Sequence, residues 1–200
     1  KKFFYHAERC VKCGECRAEA CFYDAYEPVD VTISAEELAG KLIRDKAFYE
    51  QSGGGVTYSG GEAALQADFF LEVTEILKTQ EIHVALDTSG HVPWETLAPL
   101  VKAVDLVLYD IKAMDSIIHK RYTGADNVLI LENARKIAEL RKEMIVRLIV
   151  VPGVNENDIE ARRAFALGLG SVIEIEELKY HRLGAGKYHR LGLKEPMESL

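Results

Sequence analysis

From residue 55 onward the chain alternates between two hydrophobic periods. Short, nearly continuous apolar runs read as strands, and apolar residues recurring every three or four positions read as helices. Val56, Thr57 and Tyr58 predict a first strand, held between the clusters Gly53-Gly54-Gly55 and Gly60-Gly61. A helix over Ala67–Thr79 follows, with Phe69, Phe70, Val73, Ile76 and Leu77 as its buried stripe. Further strands are predicted at 83–87, 105–111, 145–151 and 172–178. Between them lie a helix opened by Pro93 and carrying Leu97, Leu100 and Val101, a short helix at 116–121, a long one at 129–141 and another at 158–167. Upstream, Ser34 to Glu37 reads as a capping box for a helix with Leu38, Leu42 and Ile43 on one face, running towards Phe48 and Tyr49.

Strands joined one by one through helices predict a parallel sheet, because β-α-β crossovers cover its faces. Five strands do not close an eight-stranded barrel, so the sheet is either open or a partial barrel. A doubly wound sheet is the competing topology.

Charge changes the picture at the strand ends. Glu62 follows the first strand, Asp87 ends the second, and Asp110 and Lys112 close the third. Arg147 lies within the fourth and His181 follows the fifth. In a parallel β/α fold all these ends point to one rim, where ligands bind. Singly, each has a plain explanation: Asp87 before Thr88-Ser89-Gly90 can hold a turn, and Asp110 with Lys112 can form a structural ion pair. Six such groups at consecutive ends suggest a site carrying both signs of charge, suited to a zwitterionic ligand. The bare backbone of Ser59-Gly60-Gly61 lies beside it, since glycine lets a main chain approach a ligand closely.

Composition narrows the class. The apolar content of 48% supports a real core, and the formal charge of −7 opposes a general nucleic-acid binder. No apolar run is long enough to span a bilayer, and residues 1–6 carry no secretory h-region, so no membrane partner is expected. All four cysteines fall between Cys10 and Cys21, which points to metal ligation in a reducing, cytoplasmic compartment. Cys10, Cys13 and Cys16 have the C-x2-C-x2-C spacing of iron–sulfur proteins, with zinc as the alternative. Cys21 stands one residue beyond the ferredoxin spacing and is followed by Phe22 where proline is expected. The boundary of this small segment is placed after residue 31, giving a cysteine-rich segment 1–31 and a β/α domain 32–200.

Taken together, several pieces in order resemble the glycyl-radical-enzyme activating family of radical S-adenosylmethionine (SAM) enzymes, of which pyruvate formate-lyase activase is the best-known type. They are residues 54–62 (GGVTYSGGE), 87–90 (DTSG), 105–112 (DLVLYDIK), 146–155 (VRLIVVPGVN) and 180–188 (YHRLGAGKY). The resemblance implies a partial (β/α)6 barrel bearing a ferredoxin-like insertion. It implies that Ser59, Gly60, Gly61 and Glu62 receive the SAM amino group, and that Asp87, Thr88 and Asp110 lie around its carboxylate and, in some members, a monovalent cation. Lys112, Arg147 and His181 would line SAM and the approach to the substrate glycine. The implied reaction is reductive cleavage of SAM at a [4Fe–4S] cluster, followed by hydrogen abstraction from a glycine of a partner glycyl radical enzyme. An electron donor such as flavodoxin or ferredoxin would supply the reductant.

Two departures accompany the match. Ala63-Ala64 stands where the family has Pro-Leu, and no C-x3-C-x2-C motif, the family's ligand set for the SAM cluster, occurs in the chain. Five strands are one short of six, and the chain does not begin with Met. The expectation is therefore an N-terminally truncated activase whose first strand and cluster motif lie upstream, inactive as it stands. A competing expectation is a non-catalytic iron–sulfur electron-transfer or scaffold protein on a degenerate barrel. A third is a phosphate-binding isomerase, which Glu62 beside the loop opposes. The repeat of Tyr180-His181-Arg182-Leu183-Gly184 at residues 188–192 reads as a structural tail.

Overall fold

The computed structural model describes residues 31–181 together with Arg9, Val11, Gly184, Gly186 and Tyr188. The chain divides into a compact unit Ser34–His181 and a second unit formed by Lys1–Ile33 and Arg182–Leu200. Almost all of the second lies outside the described residues, as do Cys10, Cys13, Cys16, Cys21 and most of the tail repeat.

The elements run α1 (Ala35–Ile43), α2 (Lys46–Ser52), β1 (Gly55–Tyr58), α3 (Ala67–Thr79), β2 (His83–Thr88), α4 (Trp94–Ala103), β3 (Leu106–Ile111), α5 (Ser116–Thr123), α6 (Val128–Glu139), β4 (Met144–Val150), α7 (Ile159–Gly168) and β5 (Val172–Lys179). The sequence pattern predicts each strand and each of the helices α3 to α7 to within about two residues. It treats α1 and α2 as one helix, but the chain breaks at Arg44 and Asp45. Ser34 caps α1 by accepting a hydrogen bond from the Glu37 N–H at 3.2 Å. The left-handed Gly53, φ +67°, ends α2.

All neighbouring strands are parallel, and their order is β1-β2-β3-β4-β5. This order decides between the two topologies the sequence left open. A doubly wound sheet reverses its order at a switch point; here each strand lies beside its successor throughout, the arrangement of a β/α barrel segment. Right-handed crossovers repeated in one direction put the connecting helices α3, α4, α6 and α7 on the same face.

The core follows from that placement. Val56, Val84, Leu86, Val107, Tyr109, Ile111, Met144, Val146 and Leu148 project towards the helices. There they join Phe70, Val73 and Leu77 of α3, Leu97, Leu100 and Val101 of α4, Ile130 and Ile137 of α6, and Ala166 of α7 in one buried cluster. Side chains alternate across a strand, so the intervening residues share the opposite face. These are Thr57, Ala85, Asp87, Leu108, Asp110, Ile145, Arg147 and Ile149, and all but Ala85 are partly or wholly exposed. Asp87, Asp110 and Arg147 thus fall together on the sheet face opposite the one against which the core residues of the helices pack.

Candidate active site

Register brings the ions together. Asp110 pairs directly with Arg147 across β3 and β4, and Asp87 lies one strand further on the same face. The Arg147 guanidinium bridges both carboxylates. Its Nε donates to Asp110 Oδ1 at 2.9 Å, one terminal nitrogen lies 2.8 Å from the same oxygen, and that nitrogen also donates to Asp87 Oδ1. Ser59 Oγ donates to Asp87 Oδ2 at 2.8 Å, which ties the β1 loop to this triad. Lys112 Nζ stands 3.9 Å from Asp110 Oδ2, a single long contact that among the described residues leaves most of its donor capacity unspent. Two carboxylates and two cations make a group of no net charge at the ends of three adjacent strands.

Burial sets the protonation tendencies. It pushes the Asp110 carboxyl up from its ordinary value, against Arg147 and Lys112, with Asp87 adding to the rise. For Arg147, burial favours the neutral form, but Asp110 and Asp87 outweigh it and raise the guanidinium further. Arg147 therefore stays charged.

Glu62 has a different position from the open carboxylate the sequence suggests. Its Oε1 accepts from Thr88 Oγ1 at 2.7 Å and from the Ala64 N–H at 3.4 Å. Its Oε2 accepts from the Ser89 N–H at 3.1 Å and Ser89 Oγ at 2.8 Å. With four donors on it, Glu62 stitches the loop after β1 to the loop after β2. Gly60 and Gly61 remain open beside it: a Cβ on either would meet no atom within 4 Å, and Gly60 has φ +136°, which glycine alone adopts readily. Their backbone is accessible to a ligand, and the Glu62 carboxylate beside it also holds the rim.

A cleft of about 180 Å³ opens at this rim, lined by Ser89, His91, Asp110, Lys112, His119 and Thr123 among others. His119 is buried, and its Nδ1 lies 2.7 Å from the Ala125 carbonyl. His181 is exposed, and among the described residues it makes no hydrogen bond or ion pair with the triad. Ser59, Glu62, Asp87, Thr88, Asp110, Lys112 and Arg147 thus converge; His181 does not join them.

Sequence reasoning missed the residues that hold the rim in place. Three buried asparagines each donate both amide hydrogens to main-chain carbonyls at or just past strand ends. Asn133 holds Gly90 and Val92, both at 2.8 Å; Asn127 holds Ala113 at 2.9 Å and Met114 at 2.8 Å; Asn155 holds Lys112 at 2.5 Å and Ile149 at 2.7 Å. Arg162 on α7 is fully buried and spreads its guanidinium over Asp158 Oδ1 and the carbonyls of Ile111, Ile149 and Asn155. Asn155 closes a motif singled out in the sequence, but nothing in the pattern showed that its amide faces inward.

Comparison with known proteins decides the family. The profile described as the radical SAM superfamily matches residues 9–166. The trans-4-hydroxy-L-proline dehydratase activating enzyme of Clostridioides difficile is 36% identical over an alignment that takes in 100% of this chain and 77% of that protein. The chain belongs to the radical SAM superfamily, among the activating enzymes of glycyl radical enzymes. The isethionate sulfite-lyase activating enzyme of Oleidesulfovibrio alaskensis is 36% identical over 94% of this chain and 62% of its own length. The chain spans about six tenths of the length of that relative and of the two that rank beside it. The crystal structure of a domain of pyruvate-formate lyase-activating enzyme from Bacteroides vulgatus superposes with a TM-score of 0.59 at 34% identity, covering 64% of this chain and 81% of the other.

The radical SAM family implies SAM and a [4Fe–4S] cluster. The rim fits the amino-acid end of SAM: open glycine backbone and two carboxylates can take an ammonium group, and the under-used Lys112 ammonium can take a carboxylate. No cysteine is among the described residues.

Proposed function

We propose that this chain forms the SAM-holding part of an activase that installs a glycyl radical on a partner enzyme. The observation that carries the reading is the neutral group of Asp87, Arg147, Asp110 and Lys112 at successive strand ends, joined through Ser59 to the open Gly60-Gly61 backbone. When bound, SAM and the [4Fe–4S] cluster supply the radical chemistry: one-electron cleavage of SAM and removal of a hydrogen atom from a glycine of the partner. The protein's own residues orient and shield. Asp87 and Asp110 balance positive charge on the ligand, and Arg147 keeps the two carboxylates at fixed separation. Lys112 meets the ligand carboxylate, and Glu62 keeps the loops after β1 and β2 in register. Water exclusion falls to the partner's glycine loop as it enters over the sheet face that carries Asp87, Asp110 and Arg147.

The same reading assigns Cys10, Cys13, Cys16 and Cys21 an accessory ferredoxin-type cluster, a flavodoxin or ferredoxin as electron donor and the cytoplasm as location. No C-x3-C-x2-C run occurs in the chain, so the proposal gives it the SAM site and not the ligands of the cleaving cluster. The test is equilibrium binding of SAM to the protein and to Asp110→Ala. Binding that weakens about tenfold, the loss of one partly buried charge contact, supports the assignment. Equal affinity in both proteins removes Asp110 from the site.

A further inference from the structure

From the last residue of β3 onward the main chain is gripped at every step. The carbonyls of Ile111, Lys112, Ala113 and Met114 all accept hydrogen bonds from buried side chains: Arg162, Asn155, Asn127 and Asn127 again. The Met114 N–H donates to Asp158 Oδ2 at 2.7 Å, and the other oxygen of that carboxylate holds Arg162 Nε at 2.6 Å. Asn155 is itself locked, accepting from the Val151 N–H at 2.7 Å. The gripped segment begins one residue after Asp110 and contains Lys112. Arg162 and Asn155 both reach the Ile149 carbonyl on β4, two residues beyond Arg147.

Such a cage is not the cheapest way to stabilise a fold. Burying a guanidinium and two amides removes them from water, and apolar packing of the same volume commonly does as well or better. What the polar cage adds is fixed backbone coordinates for the root of Lys112, a half-exposed side chain whose one ion pair among the described residues is with Asp110, at 3.9 Å. A long flexible stem aims its ammonium reproducibly only if its base is immobile. We propose that Asn155, Asn127 and Arg162 are positioning residues: they set where the Lys112 ammonium stands at the cleft and thereby its contribution to holding the ligand carboxylate. The proposal rests on the SAM reading above.

Asn155→Ala and Asn127→Ala are tested singly and in the Lys112→Met background, with SAM affinity measured by calorimetry on the whole protein. If the cage acts through Lys112, each single change weakens SAM by about tenfold with Lys112 present and by less than about twofold without it, the non-additivity expected of coupled residues. Asn133→Ala, which frees a different loop, should instead add its effect to that of Lys112→Met. Equal losses for the Asn155 and Asn127 changes in both backgrounds, or no loss, overturn the proposal. Asn155→Asp keeps the acceptor for Val151 and loses the two donors, and it replaces Asn155→Ala if the latter does not fold. A second readout needs no SAM: acylation of the ligand-free protein, read by mass spectrometry lysine by lysine. Release of the cage should raise the Lys112 rate several-fold while the other lysines keep theirs, and an unchanged Lys112 rate refutes the positioning role. Absence of SAM binding to the unaltered protein would instead sink the SAM reading, and the labelling result would still decide the cage.

Discussion

Replacing Gly90 by alanine tests the packing beneath the rim. Gly90 follows Ser89, whose N–H and hydroxyl hold Glu62, and its own carbonyl is held by Asn133. Two independent costs arise at this position. The backbone is left-handed, φ +70°, which costs a residue with a Cβ about 1–2 kcal/mol. The new methyl would also lie 1.8 Å from the Tyr109 hydroxyl and 2.4 Å from Cζ. Tyr109 cannot swing away freely, because it is fully buried and donates to the Ile130 carbonyl at 2.6 Å. Overpacking of this kind costs about 1–3 kcal/mol. The sum, about 2–5 kcal/mol, corresponds to a fall in melting temperature of roughly 5–15 °C for a chain of this size. Urea titration of Gly90→Ala, Tyr109→Leu and the double variant separates the two costs. Tyr109→Leu removes the colliding atoms, so the double variant should be more stable than the two single losses predict, while the backbone cost persists. Strict additivity, or a Gly90→Ala midpoint within about 0.5 kcal/mol of the unaltered protein, would refute the steric account.

At the start of β1, Gly55→Ala places a Cβ 2.0 Å from the His83 carbonyl directly opposite it in register, so the β1–β2 pairing must spread; faster hydrogen exchange in β1 and β2, with β4 and β5 unchanged, is the expected result. Two aspartates that start from the same ordinary value, 3.8, should give opposite pH slopes. For Asp105 burial alone would raise the carboxyl, but hydrogen bonds from Lys78 and the Val84 N–H outweigh it and hold the group low, so its stabilisation is present above 3.8 and lost as pH falls through the folded value. Asp110 is raised, so its contribution is greatest below 3.8 and declines as pH rises through the folded value. Urea denaturation of Asp105→Asn and Asp110→Asn from pH 3 to pH 7 should show the two differences from the unaltered protein changing in opposite directions; parallel slopes would contradict the assigned causes.

How much of this was legible in the sequence depends on which side of the sheet is asked about. Leu97, Leu100 and Val101 announce their burial by spacing, and all three are buried. Asp87, Asp110 and Arg147 announce the opposite face by being charges in otherwise apolar strands, and parity puts them on it together. The side on which crossovers pass leaves no trace in periodicity, so barrel and doubly wound sheet could not be separated. Arg162 was hidden for a related reason. Beside Arg163 in a polar stretch of α7 it reads as part of a solvated face, yet it is fully buried while Arg163 is half-exposed and meets Glu177. Asn127, Asn133 and Asn155 were equally silent, because an asparagine at a helix start, as Asn127 and Asn155 are, reads as a cap, and one inside a helix, as Asn133 is, reads as a surface residue. Only the main-chain carbonyls around them, which carry no sequence signature, reveal the inward amides.

The strand order also governs how this sheet can be built during synthesis. Because every strand pairs with its successor, no contact in the sheet has to wait for a distant segment; the widest pairing in sequence joins β3 to β4, around Val107 and Met144. Each β-α unit can therefore dock as it emerges, and loop closure costs stay similar from one step to the next. The same order has a liability, since every intermediate ends in an unpaired strand able to recruit another chain. Among the described residues β5 is the last such strand, and it carries Glu174, Glu176, Glu177 and Lys179. Those charges make the β5 edge a poor template for a second copy.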